Sequence, residues 1–196
     1  MVLAVAVAAC GIPVALAAGP SAGAGAVTTP GAAEADVPLP ADLLIPVEGV
    51  AARDLRDSFA ERRGTGHHEA IDIMARRGTP VVAVADGPVA KLFTSVPGGL
   101  TVYQFDAQGN FAYYYAHLDA YAPGLGQGMA LRRGDPVGTV GSTGDASPDA
   151  PHLHFAIFRL GPEKQWWKGT AIDPYPLLGG VAQTPPAASM PAAAPR

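Results

Sequence analysis

Residues 80–158 repeat short apolar, β-branched or aromatic runs divided by Gly, Pro, Asp and Asn. Runs this short, alternating in polarity, predict strands and tight turns rather than helices. Residues 81–85 and 89–94 flank Asp86-Gly87, a dipeptide suited to the positive φ of a two-residue turn, and predict a hairpin. Residues 100–105 and 111–118, joined through 106–110, predict a second hairpin, and further strands fall near 129–131, 137–140 and 152–158. A short helix or turn near 52–62 is the main helical feature, and no internal repeat occurs. The pattern is that of a mainly β, antiparallel sheet protein with few or no helices.

Composition changes this picture at the two ends. Residues 1–40 hold 13 Ala, 5 Gly and 5 Pro, with Glu34 and Asp36 as their only charges. Residues 182–196 hold six Ala, four Pro and the single charge of Arg196. Neither segment has the apolar content to offset its own ordering entropy. One domain at 41–181 is therefore expected, long enough to bury roughly two-thirds of its unfolded surface. Residues 19–40 read as a linker and 182–196 as a disordered tail.

Residues 1–18 are apolar and uncharged along their side chains, yet shorter than the roughly 20 residues that span a bilayer. They resemble an export signal, with an A-x-A-like cleavage site at Ala15-Leu16-Ala17, although no Lys or Arg precedes Arg53. Val7-Ala8-Ala9-Cys10-Gly11 also resembles a lipobox, in which Cys10 would carry a lipid. Either reading places the domain in the periplasm or cell envelope. Membrane contact is expected only through this segment or a lipid on Cys10. Net charge is −4 with no basic block, which gives no footprint for nucleic acid. Cys10 is the only cysteine, so packing or a metal, not a disulfide, must hold the core. A monomer is expected.

All five histidines lie in the central domain: His67, His68, His117, His152 and His154. His152-Leu153-His154-Phe155 reads as a strand, so both imidazoles share one face and Leu153 and Phe155 the other. His68 and Asp72 are four residues apart, but Gly64 and Gly66 before them and Ile71 and Ile73 around Asp72 favour an extended chain over a helix. Residues four apart in an extended chain again share a face. His117 closes the run Tyr113-Tyr114-Tyr115-Ala116-His117-Leu118, where alternation places Tyr115 on its side, positioned to orient His117 or a substrate. His68, Asp72 and His154 would supply two neutral nitrogens and one carboxylate, a donor set suited to zinc with a fourth position left for water. Such imidazoles bind only when deprotonated, so metal occupancy should fall below about pH 6.

The order H-x-x-x-D, Y-A-H-L, H-L-H-F resembles the LytM/lysostaphin-type, or β-lytic, zinc metallopeptidases of bacterial cell walls. Gly78-Thr79-Pro80-Val81, Ala85-Asp86-Gly87, Gly134-Asp135, Val140-Gly141-Ser142-Thr143-Gly144 and Asp173-Pro174 belong to the same resemblance, which spans roughly 44–178. It implies a sandwich-like antiparallel sheet with an open groove in which a peptide lies extended. It also implies one Zn²⁺ per chain held by His68, Asp72 and His154, with His117 and His152 as unligated catalytic histidines. We assign His152 as base and His117 as oxyanion stabiliser. The implied reaction is hydrolysis of an amide in a peptidoglycan peptide; the alternative is a silent peptidoglycan-binding module that activates another wall hydrolase.

Two positions depart from the usual pattern. Ala70 stands where relatives carry glycine, at a cost of about 1 kcal/mol or more if the backbone there needs positive φ. Gly66 stands where many carry arginine, leaving Arg62 or Arg63 to supply the charge. His67 reads as a solvated neighbour, and Trp166 and Trp167 as packing residues or groove lining.

Overall fold

The computed structural model describes residues 37–179. The export segment, Cys10, most of the linker and the 182–196 tail lie outside the described residues.

Eleven strands follow a 3₁₀ turn at Ala52–Asp54: β1 (Arg62–Arg63), β2 (Gly66–His67), β3 (Ile71–Met74), β4 (Pro80–Val82), β5 (Gly87–Ser95), β6 (Gly99–Phe105), β7 (Phe111–Tyr121), β8 (Ala130–Leu131), β9 (Pro136–Val140), β10 (His152–Leu160) and β11 (Gly169–Ile172). One short helix, α1 (Pro174–Leu177), closes the described chain, its start capped by the Asp173 side chain accepting from the Tyr175 amide. Every strand pairing is antiparallel. This is the mainly β architecture expected from the run lengths. No helix among the described residues is long and apolar enough to cross a membrane.

The main sheet runs β11-β10-β7-β6-β5-β8, with β3 also paired to β10 and β9 to both β7 and β4. One core joins Val81, Val137 and Val140 of β4 and β9 to Val89, Val102, Tyr113, Tyr115, Phe155 and Ile157 of the main sheet. Tyr115 is fully buried, and its hydroxyl donates to Gln104 Oε1 (2.8 Å) while accepting from the Val84 amide (3.1 Å). A buried phenol thus enters the core with its polar atom satisfied.

The expected hairpin across Asp86-Gly87 does not form. β4 pairs with β9 (Val81 opposite Gly138), and β5 pairs with β6 and β8. Gly87, at φ +150°, serves close approach instead, since a Cβ there would lie 1.9 Å from the Phe105 carbonyl oxygen. Val81, Ala83 and Val84 are all buried, so this run is a covered crossing segment rather than an arm of a local turn. The second hairpin forms as expected between β6 and β7.

β7 contains a bulge that decides which side chains reach the site. Val102 faces Tyr115 and Leu100 faces Leu118, so two steps along β6 match three along β7. His117 is at the irregularity, with φ +59°. Tyr113, Tyr115 and Leu118 therefore all point into the core, and Tyr114 and His117 point to the other face.

Candidate metal centre and its groove

β10 supplies its two histidines by plain alternation. Leu153 and Phe155 are fully buried, and His152 and His154 stand half-buried on the opposite face. β3 pairs beside them in register, His154 opposite Asp72 and Leu153 opposite Ile73. That pairing carries Asp72 to the site while Ile71 and Ile73 enter the core.

His68 arrives differently from the extended path expected. It follows β2, and Glu69 next to it is left-handed at φ +55°, so 68–72 is not one strand. The His68 amide donates to the Glu61 carbonyl (2.8 Å) and the Glu69 amide to that of Phe59 (3.0 Å), which fixes the turn. The residue with positive φ is Glu69, not Ala70. Ala70 is completely buried, so its small side chain fits the space without the conformational cost considered above.

Three backbone carbonyls set the ring nitrogens. His68 Nδ1 lies 3.1 Å from the Ser58 carbonyl, His117 Nδ1 2.8 Å from that of Thr143, and His152 Nδ1 2.9 Å from that of Ala150. A carbonyl only accepts, so each Nδ1 donates and each Nε2 keeps its lone pair. Ser58 belongs to none of the sequence motifs, and Thr143, though part of the 140–144 run, has no role assigned from the sequence. The Ser58 hydroxyl also accepts from the Asp72 amide (3.3 Å), and Thr143 Oγ1 donates to the Leu118 carbonyl (2.7 Å) and accepts from the Leu100 amide (3.0 Å).

His68 Nε2, Asp72 Oδ1 and His154 Nδ1 converge. The separations are 3.0 Å between the two nitrogens, 3.0 Å from His68 to Asp72 and 3.2 Å from His154 to Asp72. Zinc bonded tetrahedrally at about 2.0–2.1 Å sets its ligand atoms about 3.3 Å apart, so this triangle fits the ion in size as well as in chemistry. His152 Nε2 lies 3.7 Å from Asp72 Oδ1, and the His117 ring is centred 5.0 Å from that of His152 and 5.6 Å from that of His154.

The second oxygen of Asp72 is engaged by Arg63, whose Nη2 donates to Oδ2 at 2.8 Å. Of the two arginines considered for this charge, Arg63 is the one that pairs with Asp72. Burial alone would raise the Asp72 pKa, but its close polar contacts with His154, His68 and Arg63 more than offset it and hold the carboxyl well below the usual range. Burial lowers the pKa of His117, partly countered by its bond to Thr143.

Beside these groups is a pocket of about 270 Å³ lined by Arg63, His67, Tyr114, His117, Asp145 and His154, among others. His67 is exposed, with Nδ1 3.0 Å from the Ala60 carbonyl. Tyr115, expected next to His117, is on the core side; Tyr114 takes that place, its ring edge-on to His154 at 6.0 Å. From Tyr114 a chain of aromatic contacts runs to Tyr103 (4.5 Å), then Trp166 (4.8 Å), which also meets Phe93 (5.4 Å) and Trp167 (5.2 Å). Trp166 is thus a packing residue, and Trp167 remains 62% exposed.

A β-sheet that gathers two imidazoles and a carboxylate at one point, with two further imidazoles alongside, has the donor set of a metal centre, one that metal-dependent hydrolases use. More narrowly, residues 66–174 match peptidase family M23, and the chain belongs to that family. It is 31% identical over 131 residues to the L-Ala–D-Glu endopeptidase of Bacillus subtilis, covering 63% of this chain and 39% of that protein. It is 32% identical over 114 residues to glycyl-glycine endopeptidase ALE-1 of Staphylococcus capitis, covering 58% of this chain and 29% of that protein. The catalytic domain of lysostaphin from Staphylococcus simulans superimposes with a TM-score of 0.51 at 31% identity, over 59% of this chain and 81% of that one. The chain thus spans less than half the length of either curated relative.

Proposed function

We propose that this chain is a zinc endopeptidase that hydrolyses amide bonds in peptidoglycan peptides in the cell envelope. The observation that carries the reading is the triangle of His68 Nε2, Asp72 Oδ1 and His154 Nδ1, with separations of 3.0–3.2 Å and two unligated imidazoles beside it. The names of the B. subtilis and S. capitis relatives support the substrate class, since both are peptidases.

His68, Asp72 and His154 would hold one zinc per chain. Bound there, zinc lowers the pKa of a water and polarises the scissile carbonyl. The protein's own work is proton movement and orientation. His152, with its Nδ1 proton committed to Ala150, offers Nε2 as acceptor and takes the proton of the attacking water. It then returns that proton to the departing amine. His117, held by Thr143, faces the same space; in the imidazolium form, with a proton taken from solvent before the substrate binds, its Nε2–H donates to the developing oxyanion. Arg63 keeps Asp72 oriented through Oδ2, leaving Oδ1 toward the metal position.

The test is zinc stoichiometry together with fragment release from purified peptidoglycan, followed by mass spectrometry, for the wild type beside His154→Ala. One zinc and a defined fragment, both lost in the variant, is the expected result. Zinc without release from several wall types would overturn the peptidase reading in favour of a silent binding module.

A further inference from the structure

We propose that Asp145 is a specificity residue of this groove and receives a free ammonium group of the substrate, the side-chain amine of a diamino acid in a peptidoglycan stem. The proposal rests on the hydrolase reading for its substrate and deepens it by naming the kind of peptide taken.

Charges in the pocket are unevenly committed. Asp72 is engaged by His68, His154 and Arg63, whereas Asp145 is exposed and in no ion pair among the described residues. Asp145 is therefore the carboxylate of the pocket left to meet a ligand. The Arg63 guanidinium, which also lines the pocket from β1, is already paired with Asp72. A cationic side chain entering the pocket is therefore drawn to Asp145.

Asp145 is held in place rather than carried on a loose tip. Its amide donates to the Pro97 carbonyl at 3.0 Å. Gly144 before it is left-handed at φ +81°, and a Cβ there would lie 2.3 Å from the Pro97 oxygen and 2.4 Å from the Gly99 amide nitrogen. Thr143, one residue earlier, is the carbonyl that anchors His117. The backbone that carries the carboxylate is thus fixed to the same turn that anchors a proposed catalytic imidazole, and its charge acts on His117 and Tyr114. Asp145 lines the same pocket as His117 and His154, the pocket that a side chain next to the reacting amide would enter. A glycine bridge has no side chain and offers Asp145 nothing, so this groove favours a stem peptide over a glycyl bridge.

The probes are the tetrapeptide L-Ala–D-Glu–L-Lys–D-Ala and its Nε-acetyl form, given to the zinc-loaded full chain, with hydrolysis followed by mass spectrometry. A charge-assisted contact in a half-exposed groove predicts about a tenfold preference in kcat/KM for the free amine. Asp145→Asn should bring the ratio to within about twofold, and Asp145→Lys should invert it. Wild-type indifference to acetylation, or a preference retained in Asp145→Asn, overturns the proposal. Equilibrium binding of both peptides is measured in parallel. If neither is cut, the hydrolase reading fails at this substrate, while a Kd ratio near tenfold that disappears in Asp145→Asn sustains the Asp145 site. Equal or undetectable binding overturns it.

Discussion

β7 and β10 are neighbours in one sheet, paired from His154 opposite Ala116 to Arg159 opposite Phe111, and both bring histidine to the same point. They do so by different means. β10 uses unbroken alternation, so His152 and His154 face the site because Leu153 and Phe155 face the core. β7 breaks its alternation with a bulge at His117, where the backbone takes φ +59°. A regular strand places side chains through its pleat alone, whereas a bulged one needs neighbours to hold the exception, here Thr143 and the Gly98 carbonyl that accepts from the His117 amide at 2.9 Å.

The largest expected effect separates the two strands by role. His154→Ala should abolish stoichiometric zinc and reduce peptidoglycan hydrolysis by about 10³-fold or more, whereas His117→Ala should retain zinc and lose about 10²- to 10³-fold in turnover. Metal analysis beside kinetics checks this, and equal zinc loss in both variants would break the comparison.

The support of the bulge comes next. A Cβ on Gly99, itself at φ +63°, would lie 2.2 Å from Thr143 Oγ1, so Gly99→Val should cost about 3 kcal/mol in denaturant unfolding. Turnover of the fraction that folds should drop as well, because Thr143 carries the His117 anchor.

The core side of β7 sharpens the contrast. Tyr115→Phe leaves the Gln104 carbonyl and the Val84 amide without their buried partner and should cost about 2 kcal/mol, with zinc content unchanged. Burial raises the Tyr115 pKa far above its ordinary value. The unfolded chain ionises this phenol from about pH 10, so the contribution is complete below that pH and is lost as pH rises above it. Melting at pH 8.5 and pH 11 should show a larger alkaline loss for wild type than for Tyr115→Phe.

The smallest effect concerns Glu69. Glycine at its left-handed position should change stability by less than about 1 kcal/mol, and Glu69→Val should destabilise by about 1–2 kcal/mol and weaken zinc binding through His68. Calorimetric zinc titration separates the two substitutions.

What the sequence displayed follows the same division. H-L-H-F revealed the β10 half of the site because period-two alternation is a local property. Strict alternation puts Tyr115 on the wrong face because it cannot register a bulge, though the core spacing of Tyr113, Tyr115 and Leu118, two residues and then three, carries its trace. The 81–94 hairpin failed for a related reason: the partner of β4 is β9, more than fifty residues along the chain, and a good turn dipeptide does not reveal a distant partner. The anchoring roles of Ser58 and of Thr143, the latter within the 140–144 run, are not legible from side-chain motifs, since both orient imidazoles chiefly through carbonyls that every residue possesses.

Those carbonyls bear on how the centre fills. Of the two imidazole ligands only His68 is held this way, its ring orientation and tautomer set by Ser58 so that Nε2 is already presented to an arriving ion, whereas His154 Nδ1, in contact with His68 Nε2 and Asp72 Oδ1, gives up a proton when it binds. Filling of the centre is thereby coupled to release of that one proton rather than to rotation of the His68 ring.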